Sequence, residues 1–304
     1  MSLIENALQK LRRAGEMEAA ARSSATEQAA RAANGEVPLK VAAPAAVVPE
    51  QRPTPSVPRR RIAIDLKALR ERGYLPEQEL ERRFADHYRQ IKRPLIEKAL
   101  AGPAEMRLIV VTSALPGDGK TFTSINLALS IARERDVSVL LVDADAPRGQ
   151  VSQVFNIREE PGLLDALRDE SLDVESLIQE TDIRGLEILP AGPFVENATE
   201  LMASARMNQL AAQISARRAR QLVIFDTAPL LVSSEARIMS RIPGQIVIVA
   251  RAGATPRQAI TDSLAHVDRS RVQGIILNQA GLASGAAYYE YPGYGGDRHD
   301  YGEV

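Results

Sequence analysis

The stretch Ala114-Leu115-Pro116-Gly117-Asp118-Gly119-Lys120-Thr121 lies between an apolar run and a segment with helical periodicity. Residues 107–112, just before it, read Arg-Leu-Ile-Val-Val-Thr, which is typical of a buried parallel strand. Residues 122–135, just after it, carry apolar side chains at helical spacing and end in basic residues, which predicts a helix. A strand, a glycine-rich turn and a helix bring several backbone N–H groups around one anion. The spacing A-x-x-x-x-G-K-T is that of a phosphate-binding P-loop, with Ala at its first position.

The P-loop spacing predicts which residues contact a nucleoside triphosphate. Lys120 is expected to reach the β- and γ-phosphates, and the Thr121 hydroxyl is expected to hold Mg²⁺. The predicted nucleotide-binding residues of the loop are Pro116, Gly117, Asp118, Gly119, Lys120, Thr121 and Phe122.

Acidic residues follow two other apolar runs. Residues 137–142 form a second predicted strand, and Asp143 and Asp145 follow it. Residues 222–225 form a third, followed by Asp226. Ligands of open α/β sheets bind at the carboxyl ends of the strands, so we expect the three carboxylates to lie together there.

These carboxylates suit phosphoryl transfer, which needs a bound metal and a positioned nucleophile. We predict that Thr121, Asp145 and Asp226 hold the metal. Lys120, Asp143 and Asp145 are the predicted catalytic residues, and one of the three carboxylates at the strand ends is expected to act as a base.

The remaining patterns complete an α/β fold. Apolar runs at residues 245–250 and 274–278 predict two more strands, and residues 62–72 and 77–92 predict helices, the second of them ending before Pro94. Apolar strands that alternate with helices predict a P-loop NTPase fold: a doubly wound, mostly parallel sheet with helices on both faces.

Composition divides the chain into four parts. Residues 1–34 are predicted to be an amphipathic, Ala-rich helical segment, and residues 35–61 a Pro- and Ala-rich linker. Residues 62–284 are the predicted P-loop domain, and the glycine-rich residues 285–304 a flexible tail. The apolar stripe of the first segment is suited to packing against a partner protein, a membrane surface or the chain's own domain. Its periodicity does not distinguish these alternatives.

Overall composition excludes several functions. The chain has 304 residues, no Cys and three His, which excludes disulfides, thiolate catalysis and Cys-rich zinc sites and disfavours a His-based metal site. A net charge of −1 gives no general attraction for nucleic acid. Without a long apolar run or a signal peptide, a cytoplasmic location is expected.

The tail is unusually rich in tyrosine. Five of the seven tyrosines lie in it. These tyrosines are either phosphate acceptors or part of a low-complexity segment that associates non-specifically. A carboxylate that takes the phenolic proton would assist attack on a γ-phosphate, since the ordinary pKa of tyrosine is near 10. The candidate phospho-acceptors are Tyr288, Tyr289, Tyr291, Tyr294 and Tyr301.

Together these motifs resemble those of the bacterial tyrosine kinases. Residues 114–121 resemble the Walker A motif of that family, residues 137–145 its Walker A′ motif and residues 222–229 its Walker B motif. The tail is similar to the family's autophosphorylated C-terminus. Residues 1–11 and 88–95 resemble the branch of exosortase-associated tyrosine autokinases.

The resemblance implies a polysaccharide-biosynthesis kinase that uses ATP and Mg²⁺. It implies phosphorylation of the tail of a neighbouring subunit in trans, a ring-like homo-oligomer, and control of exopolysaccharide synthesis and export. It further implies a membrane partner of the chain-length-determinant type that recruits the kinase to the inner face of the membrane, and a tyrosine phosphatase, but no nucleic acid. Asp86, Arg89 and Lys92 match the spacing of the family's subunit-contact motif, although a solvated charged stripe is the simpler alternative. Asn278 matches an adenine-contacting position of related ATPases.

A second interpretation is a ParA/MinD-type ATPase switch acting in partition or positioning. Those proteins carry Lys where this chain has Leu115, and they have no need of a tyrosine cluster. A nucleotide-binding scaffold without catalysis is a third, which the intact Lys120, Thr121, Asp143 and Asp226 disfavour.

Overall fold

A computed structural model of the chain describes residues 60–280. These residues form an eight-stranded sheet in the order β1-β4-β5-β3-β6-β2-β7-β8. The strands are Arg61–Ile62 (β1), Leu108–Ser113 (β2), Ser138–Ala144 (β3), Gln179–Thr181 (β4), Leu186–Leu189 (β5), Gln221–Thr227 (β6), Gln245–Arg251 (β7) and Val272–Asn278 (β8).

Helices connect the strands and cover both faces of the sheet. Short 3₁₀ turns at Gln78–Leu80, Ala104–Arg107 and Arg269–Arg271 precede α2, β2 and β8. The α-helices of the described residues are Leu66–Glu71 (α1), Glu81–Ala101 (α2), Lys120–Ala132 (α3), Gln150–Val154 (α4), Leu163–Arg168 (α5), Val174–Leu177 (α6), Ala198–Met202 (α7), Ala205–Ala216 (α8), Ser234–Met239 (α9) and Arg257–Leu264 (α10).

The central strands are buried on both faces because both faces carry apolar side chains. Along β2, Ile109 packs with α2 and α3 on one face, and Val110 packs with α5 and α8 on the other. Strands β5, β3, β6, β2, β7 and β8 run parallel to one another. The predicted doubly wound, mostly parallel sheet is confirmed.

The sequence patterns missed one side of the sheet. Strands β1, β4 and β5 were not predicted, and β4 pairs antiparallel with β5 while β1 pairs parallel with β4. Two of these strands are only two and three residues long, which is too short for a recognisable period.

The prediction of a helix from residues 77 to 92 that breaks before Pro94 was wrong. Helix α2 runs from Glu81 to Ala101 with Pro94 inside it. A proline costs the helix one backbone hydrogen bond. Tyr88, Leu95 and Ala99 are buried along one stripe on either side of the proline, and this packing holds the helix together.

Two other helix boundaries differ from the predictions. The P-loop helix α3 ends at Ala132, so the basic residues predicted for its last turn lie beyond it. In residues 62–72 only α1 is helical: Ile62 belongs to β1, and the Asp65 side chain caps α1 by accepting from the backbone N–H of Ala68.

The described residues correspond to most of the predicted P-loop domain. Strand β1 begins at Arg61, one residue before the predicted start of the domain. The N-terminal helical segment, most of the linker and the tyrosine tail lie outside the described residues. Within residues 60–280, no helix is both long enough and apolar enough to cross a membrane.

Candidate active site

The P-loop adopts the conformation that its glycines permit. Gly117 and Gly119 have φ angles of 86° and 95°, in the left-handed region that favours glycine. Helix α3 begins at Lys120, and no side chain caps its N-terminus. The positive end of the helix dipole and its first N–H groups are therefore suited to a phosphate, and the loop fits the group that its sequence implies.

Lys120 forms a buried ion pair with the second carboxylate of the β3 end. Its Nζ lies 2.9 Å from Asp145 Oδ2, and their side chains are 7% and 1% exposed. Burial alone would lower the pKa of Lys120, but the negative charges of Asp226 and Asp145 outweigh burial and raise it. Lys120 is therefore held as a cation next to the loop.

Asp226, near the end of β6, binds the first turns of α3. Its Oδ2 accepts a hydrogen bond of 2.7 Å from the Thr121 hydroxyl, and its Oδ1 accepts one of 2.8 Å from Ser124. Thr121 also contacts Gln150 Oε1 at 3.1 Å. Complete burial raises the pKa of Asp226, against the opposing effects of Lys120 and the two hydroxyls.

Asp143 lies behind the site and is fully buried. Its Oδ2 accepts two hydrogen bonds of 2.7 Å from Ser152, one from the backbone N–H and one from the hydroxyl. Burial raises the pKa of Asp143 to about 7, although the bonds from Ser152 lower it. Ser152 Oγ in turn accepts from the backbone N–H of Ala191, 2.9 Å away, and this contact links the carboxylate to the loop after β5.

The sheet brings together the carboxylates that were predicted to meet. Asp143 and Asp226 are paired across β3 and β6. Among the described residues, no group of three or more His, Cys, Asp or Glu side chains is arranged to hold a metal by itself. Thr121, Asp145 and Asp226 supply one hydroxyl and two carboxylates, and Mg²⁺ often combines one or two carboxylates with the oxygens of a bound phosphate.

Two other residues predicted to contact the nucleotide, Asn278 and Phe122, contact residues of the protein itself. The Asn278 side-chain amide donates to the Asp118 carbonyl oxygen at 3.0 Å, so Asn278 supports the P-loop itself. The Phe122 ring packs edge-on against Phe84 of α2, with 6.1 Å between ring centroids.

A cavity of about 390 Å³ opens beside Asp145. Its wall combines apolar and polar groups, and Arg148, the basic residue that follows the Walker A′-like segment, lies on its rim. A second cavity of about 180 Å³, between α1, α2 and α3, contains none of the predicted site residues. The residues of the first cavity are Asp145, Pro147, Arg148, Ala228, Pro229, Val232, Ser233, Ser234 and Glu235.

The three residues predicted to form a subunit contact do not share one exposed face. Asp86 and Arg89 are exposed and lie 2.6 Å apart as an ion pair. Lys92 is buried, donates to the Ser130 carbonyl oxygen at 2.6 Å and lies 2.7 Å from Glu134. Lys92 thus binds residues of its own domain. Of the three residues predicted for the subunit contact, only Asp86 and Arg89 are exposed to a partner.

The sequence did not single out several residues that complete the site. Ser124 lies one turn after Lys120, and that helical spacing was a usable signal. Gln150 and Ser152 lie on the short helix α4, and Thr255 donates to Asp118 from the loop after β7. A single Ser, Thr or Gln in a loop or short helix gives no pattern from which its partner could be predicted.

Comparison with known proteins identifies the family. Residues 106–271 match the sequence family described as AAA domain. Over 190 residues the chain is 33% identical to the tyrosine-protein kinase YwqD of Bacillus subtilis, covering 62% of this chain and 78% of that protein. The chain belongs to the bacterial tyrosine kinase family. It is also 31% identical over 194 residues to the tyrosine-protein kinase wzc of Salmonella typhimurium, which matches 62% of this chain and 26% of that longer relative.

Solved structures agree with this family assignment. The kinase domain of the Escherichia coli tyrosine kinase ETK is 31% identical and superimposes with a TM-score of 0.55, over 64% of this chain and 75% of that domain. The VpsO kinase domain is 28% identical with a TM-score of 0.52, over 63% of this chain and 98% of that domain. The family supports nucleotide binding and protein-tyrosine kinase activity, and favours this interpretation over the ParA/MinD-type switch.

Proposed function

We propose that this kinase transfers the γ-phosphate of ATP to tyrosines in the C-terminal tail of a neighbouring copy of the chain. The observation that supports this best is the position of the Lys120–Asp145 pair between the P-loop and the cavity of about 390 Å³. A phosphate held by the P-loop would lie on one side of this pair, and an acceptor side chain entering the cavity would lie on the other.

The cavity suits a phenol better than a small aliphatic hydroxyl. Pro147, Pro229 and Val232 give it an apolar wall, and the buried Asp145 also lines it. A tyrosine ring could pack against the wall with its hydroxyl directed at Asp145, which is placed to take the phenolic proton. We propose that Asp143 supports Asp145 and does not itself take the proton, because Asp143 is bound by Ser152 and does not line the cavity.

Each remaining site residue has a proposed role with ATP and Mg²⁺. Lys120 and the N-terminus of α3 would hold the β- and γ-phosphates, and Thr121, Asp145 and Asp226 would hold the metal. When bound, Mg²⁺ neutralises charge on the phosphate oxygens. The Thr121–Asp226 hydrogen bond of 2.7 Å supports this grouping.

The acceptors proposed are the five tail tyrosines, Tyr288 to Tyr301. The two other tyrosines of the chain lie within the folded region: Tyr88 is buried in the core, and Tyr74 is partly buried against it. A tyrosine must leave such packing to reach a second active site, so we exclude both as acceptors.

Phosphotyrosine mapping tests the proposal. Full-length protein incubated with ATP and Mg²⁺ should gain phosphotyrosine at residues 288–301, and Lys120→Met should gain none. To test transfer between chains, Lys120→Met is mixed with a variant whose five tail tyrosines are replaced by Phe. Phosphotyrosine on the Lys120→Met chain supports transfer in trans. A tail that stays unmodified in active preparations refutes the proposal.

On the family resemblance, we further propose that the kinase forms a ring-like oligomer and controls exopolysaccharide synthesis and export. A membrane protein of the chain-length-determinant type would recruit and activate it, and a tyrosine phosphatase would reverse the modification. Each phosphate adds about −1.5 to −2 charge at pH 7, so a phosphorylated tail is repelled from the acidic site. Phosphatase treatment should therefore change the assembly state in size-exclusion chromatography, and identical elution would contradict this mechanism. Arg89→Glu tests the exposed Asp86–Arg89 contact in the same assay.

A further inference from the structure

The P-loop residue Asp118 is held by two segments outside the loop, the one after β7 and the end of β8. Its side chain is buried, which is unusual for the middle of a loop whose neighbours on both sides are glycines. Its Oδ2 accepts from the backbone N–H of Leu115 at 3.0 Å, which closes the loop on itself. Its Oδ1 accepts from the Thr255 hydroxyl at 2.6 Å, which ties the loop to the segment after β7.

Thr255 is itself fixed in position. Its Oγ accepts a hydrogen bond of 2.7 Å from the backbone N–H of Arg251, at the end of β7. Its hydroxyl proton is therefore directed to Asp118. A hydrogen bond from a hydroxyl to a carboxylate is among the stronger kinds in proteins.

The end of β8 holds the same loop residue from another direction. The Asn278 side-chain amide donates to the Asp118 backbone carbonyl oxygen. The backbone carbonyl oxygen of Asn278 accepts from the backbone N–H of Ala252 at 2.9 Å. A Cβ at Gly119 would lie only 1.9 Å from Asn278 Nδ2, so the strand end and the loop are in close contact. Asn278 is also the residue at which β8 ends, before the chain leads to the tail.

We propose that Thr255 is a positioning residue for nucleotide binding, which acts by holding Asp118 and, through it, the left-handed conformations of Gly117 and Gly119. The backbone amides of the loop then face the phosphates before nucleotide binds. Preorganisation of this kind strengthens binding, because ordering the loop no longer costs free energy at the moment of binding. The inference rests on the proposed function only in taking ATP as the nucleotide.

The test measures binding and catalysis separately in the full-length chain. Thr255→Val keeps the β-branched shape and removes the hydroxyl, whereas Thr255→Ser retains the hydroxyl. Thr261→Val is the matched control, since Thr261 is exposed on α10 and its hydroxyl donates to the Arg257 carbonyl oxygen of the same helix. Binding is followed with a fluorescent ADP analogue and Mg²⁺, and catalysis by tail phosphotyrosine over a range of ATP concentrations.

Thr255→Val should weaken binding of the analogue about tenfold, the usual effect of losing a hydrogen bond to a charged group. It should raise KM for ATP similarly and leave kcat within about twofold, because saturating nucleotide restores the order of the loop. Thr255→Ser should restore binding, and Thr261→Val should match wild type. Unchanged binding in Thr255→Val, or loss of kcat alone, would overturn the inference. Weakened binding in a chain whose tail is never phosphorylated would leave it standing while refuting the proposed function.

Discussion

Lys120 Nζ and Asp145 Oδ2 lie 2.9 Å apart and form an ion pair whose two side chains are both buried. Lys120 belongs to the P-loop, and Asp145 lines the cavity that we propose for the acceptor side chain. Since a buried cation needs a partner, the phosphates of a bound nucleotide would compete with Asp145 for Lys120. Nucleotide binding would then free the Asp145 carboxylate for the metal or for an incoming hydroxyl.

The first prediction concerns Asp145→Asn. Removing one partner of a buried ion pair costs about 3–5 kcal/mol of folding free energy, because the remaining charge is left without compensation. The variant should unfold at a lower temperature than wild type. A nucleotide analogue should raise the melting temperature of the variant more than that of wild type, since phosphate supplies the missing negative charge. Tyrosine phosphorylation should fall about 100-fold or more. Thermal denaturation with and without nucleotide checks the first effect.

The matched control for this prediction is Asp262→Asn. Asp262 is exposed on α10, where its carboxylate accepts a hydrogen bond from Gln258. This variant should melt and respond to nucleotide as wild type does. Equal melting temperatures and equal nucleotide responses in Asp145→Asn and wild type would show that the ion pair has no such role.

The second prediction concerns Ser124→Ala. The substitution removes the 2.8 Å hydrogen bond to Asp226 Oδ1 and leaves a buried carboxylate oxygen without that donor. The cost should be about 1–3 kcal/mol in the free energy of unfolding. Denaturant unfolding at neutral pH measures it. Ser130→Ala, in the same helix, is the control, because its backbone carbonyl rather than its side chain contacts Lys92. An equal effect of the two substitutions would contradict the assignment.

The central sheet was predictable from sequence for a physical reason. Strands buried on both faces must be apolar throughout, so β2, β3 and β6 appear as continuous runs. The carboxylates Asp145 and Asp226 were predictable because they follow those runs. Within residues 60–280 the short strand β1 pairs with β4, and β4 pairs with β5, so their pairing depends on tertiary contacts.

Contacts between separate elements could not be predicted from the sequence patterns. Spacing placed Asp86, Arg89 and Lys92 on one helix but could not show that Lys92 reaches the carbonyl oxygen of Ser130 on α3. Ser152 and Thr255 belong to no motif, and each contacts a predicted site residue on another element. Asp143 lies nine residues before Ser152, and Asp118 lies 137 residues before Thr255. A motif identifies residues that touch the ligand, whereas the residues that hold them are chosen by packing.

The third prediction concerns Pro94→Ala. Pro94 is exposed in the middle of α2, where it removes a backbone donor and strains the preceding turn. Alanine restores the donor and has the highest helix propensity, although it also gives the unfolded chain more freedom. The net effect should be a stabilisation of about 1–2 kcal/mol, read from denaturant unfolding. Arg93→Ala, at the neighbouring exposed position, should change stability little. A destabilised Pro94→Ala would mean that the proline has a packing role.

The fourth prediction concerns the pH dependence of stability and the buried Glu187 of β5. Glu187 lies 3.0 Å from both Arg217 and Arg218 and accepts a 2.7 Å hydrogen bond from Gln221. Burial raises the pKa of Glu187, but the two arginines and Gln221 outweigh burial and lower it below its ordinary value.

A carboxylate whose pKa is lower in the folded state stabilises the protein at any pH above its unfolded pKa. That stabilisation is lost as pH falls through the folded pKa. Glu187→Gln should therefore be less stable than wild type at neutral pH, by about 2 kcal/mol. The difference should begin to shrink as pH falls below the ordinary glutamate pKa of about 4.3, and it should disappear as pH passes the lowered pKa of the folded state.

Denaturant unfolding of both proteins from pH 7 to pH 3 measures this convergence. The loss of stability at neutral pH is limited because Arg217 also pairs with Glu175 and donates to Gln221, and the variant leaves these side chains in place. Glu170→Gln, at an exposed position, is the control and should follow the wild-type curve. A Glu187→Gln deficit that stays constant down to pH 3 would mean that lost packing, and not the charge of Glu187, accounts for the effect.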